Sequence, residues 1–151
     1  MKYYVEDSLS NFKFWSGAVD RAKLLTVEQL DTVEQILIDI EPEDNWSDTA
    51  INDLFWHDFD TVCGWLSYKD EQHLEKGVSN DDVQKVNDWA EDMSEDYDNL
   101  FLVAGLNKDK YIYHDEDGDE DIDCYAATND FMEWWNNMDD FAKMEVYNKH
   151  Q

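Results

Sequence analysis

The residues best suited to chemistry form a run of carboxylates at residues 115–123, with the sequence DEDGDEDID. Seven of these nine side chains are acidic, interrupted only by Gly118 and Ile122. No Lys or Arg lies between Lys110 and Lys143. Like charges held this close repel one another and destabilise a compact state. This stretch, called the acidic segment below, therefore indicates a site at which carboxylates meet a cationic ligand or partner.

Calcium is one cation that an acidic segment with a glycine could bind. An EF-hand loop needs acids at positions 1, 3 and 5, Gly at position 6 and Glu at position 12. Aligning Gly118 with position 6 places Asp115 at position 3 and Asp117 at position 5, but Tyr113 falls at position 1 and Cys124 at position 12. Two ligands are missing, so the segment is not an EF-hand. Binding of Ca²⁺ at a non-standard site in the acidic segment is therefore the alternative function. We assign no individual metal ligand and no cofactor.

Catalytic motifs are absent from the sequence. It contains no Gly-rich phosphate loop, no HExxH, no nucleophile elbow and no zinc-type Cys/His cluster. Asp53 and His57 have the i,i+4 spacing of a metal pair, but a surface hydrogen bond explains this spacing better. Cys63 and Cys124 are the only cysteines, and we expect both to be reduced and packed. The sequence predicts that the protein is not an enzyme.

The net charge of the chain indicates which classes of partner its surface attracts and which it repels. There are 38 acidic and 11 basic residues, for a net charge of −27, together with 42% hydrophobic and 15% aromatic residues. That apolar content is enough for a folded core, so we expect an acidic surface on a globular protein. Such a surface repels nucleic acid and anionic membranes and attracts basic proteins. With no signal peptide and no membrane-spanning run, the expected location is the cytoplasm.

The N-terminal half is predicted to be helical after a short strand at residues 2–5. A capping box formed by Thr26 and Gln29 starts the first clear helix, and Pro42 stops it. Ser47 caps a second helix, and residues 58–66 form a third. The inward stripe of the first helix comprises Val27, Leu30, Val33, Ile36, Leu37 and Ile40.

A fourth helix is predicted over residues 80–98, and its outer face is almost entirely acidic. After it the pattern favours strands at residues 100–105, 111–114 and 122–125. The Asp117-Gly118 pair predicts a two-residue hairpin turn that places Tyr113 opposite Ile122, so the acidic segment becomes the tip of a β-hairpin. A single long C-terminal helix capped by Thr128 follows. The sum is one acidic α+β domain over residues 1–151: a helical N-terminal half, a small antiparallel sheet and a closing helix.

Nucleic-acid mimicry explains the excess of carboxylates better than solubility alone. Duplex DNA carries one charge per about 1.7 Å, so a charge of −27 equals roughly 46 Å of duplex. Carboxylates about 6 Å apart, at i,i+4 on a helix or on one side of a strand, have nearly the spacing of successive phosphates.

We predict that the partner-binding residues are the seven acids of the acidic segment and seven acids of the fourth helix: Asp115, Glu116, Asp117, Asp119, Glu120, Asp121, Asp123, Asp81, Asp82, Asp88, Glu91, Asp92, Glu95 and Asp96.

In size, charge and core content the chain resembles the small acidic DNA-mimic inhibitors of bacteriophages and mobile elements, the anti-restriction and anti-CRISPR proteins. The stretches FWSGAVDRAKLLTVEQLDTVEQILIDI and WSDTAINDLFWHDFDTVCGWL also resemble short proteins of gut Firmicutes and their prophages. The resemblance implies a partner in the bacterial host cell: a defence nuclease, such as a restriction enzyme or a CRISPR–Cas effector, blocked at its basic DNA- or PAM-binding groove. An acidic module for an unrelated basic protein is a further alternative.

Overall fold

The computed structural model describes residues 8–40 and 46–151. This part of the chain is mostly helical with one two-stranded antiparallel sheet, consistent with an α+β fold. Its contacts divide it into two compact units, the first ending at Asn80 and the second running from Asp81 to Gln151. The strand predicted at residues 2–5 lies outside the described residues, and so does Pro42.

The described residues of the first unit form a 3₁₀ turn and five helices. They are the turn Leu9–Asn11, α1 (Ala18–Ala22), α2 (Val27–Ile40), α3 (Asp48–His57), α4 (Phe59–Trp65) and α5 (Glu71–Lys76). The predicted capping box is confirmed, since the Thr26 amide donates to Gln29 Oε1 at 2.9 Å and the Gln29 amide donates to Thr26 Oγ1 at 3.1 Å. The predicted Ser47 cap is also confirmed, with Ala50 N as its donor.

Only the middle of the predicted α2 stripe reaches the core. Leu30, Val33 and Leu37 are buried, whereas Val27 and Ile40 at the two ends are exposed. The elements that pack against α2 are the Leu9–Asn11 turn and α4.

The second unit contains four helices, a second 3₁₀ turn and the sheet. They are α6 (Asn80–Met93), α7 (Leu100–Ala104), the turn Lys108–Tyr111, β1 (Ile112–His114), β2 (Glu120–Ile122), α8 (Cys124–Asn136) and α9 (Asp140–Lys149). Its core is formed by Val86, Ala90, Leu100, Phe101, Tyr111, Ala127, Phe131 and Trp135. The Trp135 indole donates to Asn87 Oδ1 at 2.9 Å, so its one polar atom is satisfied.

The strand predicted at residues 100–105 is wrong, because this segment is helix α7. A short apolar run does not by itself distinguish a buried strand from a buried helix. Leu100 and Phe101 are buried, and α7 packs against α8. Gly105 ends the helix with a φ of +68°, the left-handed conformation typical of a helix C-terminus.

The predicted register of the acidic turn is wrong by one residue. Tyr113 lies opposite Asp121 rather than Ile122, and Ile112 lies opposite Ile122. The Gly118 amide donates to the Asp115 carbonyl at 3.0 Å, and the Asp115 amide donates to the Asp119 carbonyl at 3.0 Å. Gly118 has a φ of +83°. These bonds form a three-residue loop, with glycine in the left-handed position that such loops require, instead of the two-residue turn.

The C-terminal region also departs from the prediction. Cys124 begins α8, so the predicted strand over residues 122–125 is wrong, and Asp123 is the cap in place of Thr128, with Ala126 N as its donor. The predicted long helix is divided into α8 and α9. Asp139 starts α9 by accepting a hydrogen bond from the Ala142 amide at 2.8 Å. A new N-cap within an apolar periodic stretch explains the break, because its side chain satisfies the amides of a new first turn.

Candidate partner-binding surface

Every acid of the acidic segment is exposed to solvent: Asp115, Glu116, Asp117, Asp119, Glu120, Asp121 and Asp123. The first of them also organises the loop. Asp115 Oδ1 accepts hydrogen bonds from the amides of Asp117 and Asp119, both at 2.9 Å. The loop is therefore held by its own carboxylate, which leaves the side chains of Glu116, Asp117 and Asp119 directed outward into solvent.

Two carboxylates at the end of the segment are fixed by local hydrogen bonds. Asp121 accepts from the Ile122 amide at 2.8 Å and from the Tyr113 hydroxyl at 3.3 Å. Asp123 accepts from the Ala126 amide at 3.1 Å. The negative charge of Asp121 is the largest cause that holds the pKa of Tyr113 above its usual value, and Asp123 and Asp115 act in the same direction. The charges of three carboxylates therefore reach one exposed tyrosine.

His114 is the one histidine of the two strands. Its Nε2 lies 3.7 Å from Glu120 Oε1, and both side chains are mostly exposed. A register with Tyr113 opposite Ile122 would place His114 opposite Asp121, but the observed register places it opposite Glu120. Because the pair is exposed, it stabilises the strands only weakly.

The second predicted group of acids lies on and after α6. Asp81, Asp88, Glu91 and Asp92 are exposed on the helix, and Asp82 is half-buried. Positions 81, 88 and 92 lie along one line of the helix surface, since they are separated by whole turns. Gln84 Nε2 donates to Asp88 Oδ1 at 2.8 Å, and the Lys85 ammonium lies 5.5 Å from the centre of the Tyr147 ring.

Glu95 and Asp96 are not part of this helical line. The helix ends at Met93, not near residue 98 as predicted, so Asp92 and Asp96 are not an i,i+4 helical pair. The Ser94 hydroxyl donates to the Glu91 carbonyl at 2.6 Å at the helix end. Asp96 instead accepts hydrogen bonds from the Asp98 amide and the Asn99 side chain. Asp96 therefore shapes the following turn, while Glu95 stays exposed.

All 14 predicted partner-binding acids fall in the second unit. Within residues 8–40 and 46–151, no group of three or more His, Cys, Asp or Glu side chains is arranged to hold a metal ion. The structure thus brings the acidic segment and the acids of α6 into one compact unit, as carboxylates spread over a surface.

The cysteines differ in their surroundings, and the prediction that both are packed is wrong for one of them. Both are free thiols, but Cys63 is buried and Cys124 is exposed. Burial, and next the charge of Asp60, raises the pKa of Cys63 to about 12. Cys63 is therefore a protonated thiol at neutral pH and a poor nucleophile. Cys124 is exposed because it begins α8 beside the acidic segment.

Sequence reasoning missed the aromatic side chains that border the acidic segment. Tyr113 is 48% exposed and Tyr125 is 80% exposed. Tyr113 was assigned to one face of a hairpin with the wrong register, and Tyr125 to a strand that is not formed. Aspartate is favoured at helix N-caps, so Asp123 was the available signal that the following residues, including Tyr125, are helical.

Comparisons with known proteins give no relative. No protein family, no curated protein and no solved structure matches this sequence. No helix in the described part of the chain is long and apolar enough to cross a membrane.

Proposed function

We propose that this protein is a DNA-mimic inhibitor that occupies the basic DNA- or PAM-binding groove of a bacterial defence nuclease, with a CRISPR–Cas effector as the first candidate. The observation that carries the proposal is the concentration of carboxylates on the second unit. Residues 81–151 hold 21 acids against five bases, a net charge of −16. At one charge per about 1.7 Å, that equals roughly 27 Å of duplex.

The arrangement of the acids supports mimicry in two ways. Positions 81, 88 and 92 follow one line of α6, while the acidic segment supplies seven exposed carboxylates on a tight loop and the residues after it. Several of these carboxylates are anchored by hydrogen bonds, so less conformational entropy is lost when a partner orders them. A groove lined with Arg and Lys accepts such a surface in place of phosphates.

The proposal also accounts for the repulsion within the acidic segment. In the free protein, neighbouring carboxylates destabilise the fold. In a complex, Arg and Lys side chains neutralise them, and the counterions of both surfaces are released into solution. The repulsion is thus relieved on binding, and affinity should fall steeply as salt is raised.

A fourfold neutralised variant tests the proposal without removing the hydrogen bonds that hold the loop. Glu116→Gln, Asp117→Asn, Asp119→Asn and Glu120→Gln keep Asp115, Asp121 and Asp123 unchanged. We expect the melting temperature of the free protein to rise at low salt, because like-charge repulsion is reduced. The gain should disappear near 1 M salt, where the Debye length is about 3 Å.

The partner is sought by affinity capture from bacterial lysate on the immobilised protein, in EDTA, with and without excess duplex DNA. We expect a DNA-binding nuclease that duplex DNA elutes, and at least tenfold weaker capture by the fourfold variant. The matched control neutralises four exposed acids of the first unit, Asp20, Glu28, Asp31 and Glu75. It has the same net charge but should bind like the native protein.

Three results would overturn the proposal. Equal loss of capture in both variants would mean that only net charge matters. A captured partner that duplex DNA does not displace would identify an acidic module for an unrelated basic protein. Capture, or a thermal shift, that requires Ca²⁺ and is abolished by Asp117→Asn would identify the acidic segment as a calcium site.

A further inference from the structure

A shallow depression lies where β2 meets the start of α8. It has a volume of about 590 Å³ and is lined by Tyr113, Asp121, Ile122, Asp123 and Cys124. Three of these residues bring the groups that matter for a ligand: Tyr113 has an aromatic ring, and Asp121 and Asp123 have carboxylates. A cation with a flat, weakly hydrated face is the ligand that such mixed walls favour, because a ring and a carboxylate can contact it together.

The apolar part of this surface is exposed although the surroundings are strongly charged. Tyr113 is 48% exposed and Tyr125, the residue that follows the depression, is 80% exposed. Aromatic side chains left in water on an otherwise acidic surface are typical of interface anchors, since tyrosine is enriched among the residues that dominate binding. The charge around them sets the partner: no Lys or Arg occurs between Lys110 and Lys143.

The carboxylates of the depression are already positioned. Asp121 is held by the Ile122 amide and the Tyr113 hydroxyl, and Asp123 Oδ1 is held by the Ala126 amide. An acceptor that is fixed before binding loses little entropy when it accepts a further hydrogen bond. The hydroxyl bond also ties the Tyr113 ring to the Asp121 carboxylate, so ring and acceptor are presented side by side.

Arginine fits this combination and lysine does not. A guanidinium is planar, stacks on an aromatic face and donates two parallel hydrogen bonds to a carboxylate. A lysine ammonium is a compact, strongly hydrated charge that cannot use ring and carboxylate in the same way. Generic electrostatic attraction to a −27 protein would be the same for both cations.

We propose that the depression lined by Tyr113, Asp121, Ile122, Asp123 and Cys124 is an arginine-binding site, the point at which an arginine-bearing surface of the basic partner docks. The inference rests on the proposed function in that both need a basic protein partner at this surface. It goes further by stating that one arginine is selected over lysine. Asp121 and Asp123 accept its guanidinium hydrogen bonds, and the Tyr113 ring stacks on its face.

The test uses two peptides of equal charge, one of nine arginines and one of nine lysines. Each is titrated into the full-length protein at 0.15 M salt, and its affinity is measured by calorimetry. We expect the arginine peptide to bind about tenfold more tightly. Tyr113→Val, which keeps a residue that favours strands, should reduce this ratio to near one while leaving the lysine peptide unaffected. Tyr113→Phe keeps the ring and should retain most of the ratio.

Two further measurements locate the bound peptide on the protein and provide a control variant. Addition of the arginine peptide should shift the backbone amide signals of residues 113 and 121–124, measured by NMR. The control is Leu102→Ala, which removes another exposed apolar side chain of the second unit, 76% exposed, and should leave the ratio unchanged. A ratio near one in the native protein, or an unchanged ratio in Tyr113→Val, would overturn the arginine site.

The two proposals fail separately. If arginine selectivity holds but duplex DNA does not elute the captured partner, the arginine site stands and mimicry fails. If DNA elutes the partner and Tyr113→Val captures it as well as the native protein, mimicry stands on charge alone and the arginine site is wrong.

Discussion

The two compact units of this chain differ in net charge and in how fully their core residues are buried. The chain up to Asn80 has 17 acids and six bases, a net of −11, whereas Asp81–Gln151 reaches −16 with fewer residues. Among the described residues, the first core has 13 buried residues with eight partly buried hydrophobic residues packed against them, and the second has eight with 14. The stronger self-repulsion therefore acts on the core that has fewer fully buried residues.

The largest effect should come from the centre of the second core. Trp135 is almost fully buried, and Trp135→Ala would leave a large cavity and an unpaired Asn87 side chain. We expect a loss of about 3–5 kcal/mol in the free energy of unfolding, measured by urea denaturation. Phe55→Ala, which removes a fully buried ring from the first core, is the matched variant and should lose a similar amount.

Together, these two variants test whether the cores of the two units are equally well packed. If Trp135→Ala costs under about 1 kcal/mol while Phe55→Ala costs several, then the second core is loosely packed and its eight buried residues do not act as a core. If both costs are large, the difference between the units lies in their surface charge.

Glycine substitutions should have intermediate effects, for a different reason in each unit. A Cβ at Gly17 would lie 2.4 Å from Trp56 Nε1, so Gly17→Ala must displace the indole and should cost about 1–3 kcal/mol. Gly118 has open space around it but a φ of +83°, so Gly118→Ala should cost about 1–2 kcal/mol through backbone strain. Thermal denaturation of both variants measures these two losses of stability.

Each glycine has a control that isolates its mechanism. Gly64 lies within α4 with no atom within 4 Å of an added Cβ, so Gly64→Ala should stabilise the protein by about 0.5–1 kcal/mol. Gly118→Asn should recover much of the loss seen with alanine, because asparagine tolerates the left-handed conformation. A Gly17→Ala variant as stable as the native protein would contradict the close approach of Trp56.

The smallest effects on the free energy of unfolding should come from two hydrogen-bonded groups that titrate at the acidic and alkaline ends of the pH range. In the first unit, hydrogen bonds from the backbone and then the side chain of His73 hold the pKa of Asp70 below its usual 3.8. That stability is present above pH 3.8 and is lost as pH falls through the lower folded value. In the second unit, the hydrogen bond to Asp130 raises the pKa of Tyr111 to about 12 from 10.0. That stability is present below pH 10 and is lost as pH rises towards 12.

Melting temperatures across pH check this contrast. Asp70→Asn should weaken the acid dependence and Tyr111→Phe the alkaline dependence, each without changing the other end. An unchanged acid dependence in Asp70→Asn, or an unchanged alkaline dependence in Tyr111→Phe, would contradict the two hydrogen bonds as the cause.

The errors of the sequence-based fold have different physical causes. Residues 100–105 were read as a strand because a six-residue apolar run has no resolved period, and only packing of α7 against α8 selects the helix. The division into α8 and α9 was missed because the apolar spacing continues past Asp139, whose capping bond decides the break. Helix α5, capped by Asp70, was missed because it is only six residues long.

The sequence alone determined what depends on neighbouring residues or on composition. The net charge of −27, the acidic run at 115–123 and the cap at Thr26 are of this kind. A cap joins atoms only three residues apart. The tertiary structure alone decided which residues meet. The one-residue change of register placed Tyr113 beside Asp121, since strand pairing reverses which side chains share a face when it shifts by one. The depression beside the acidic segment exists for that reason.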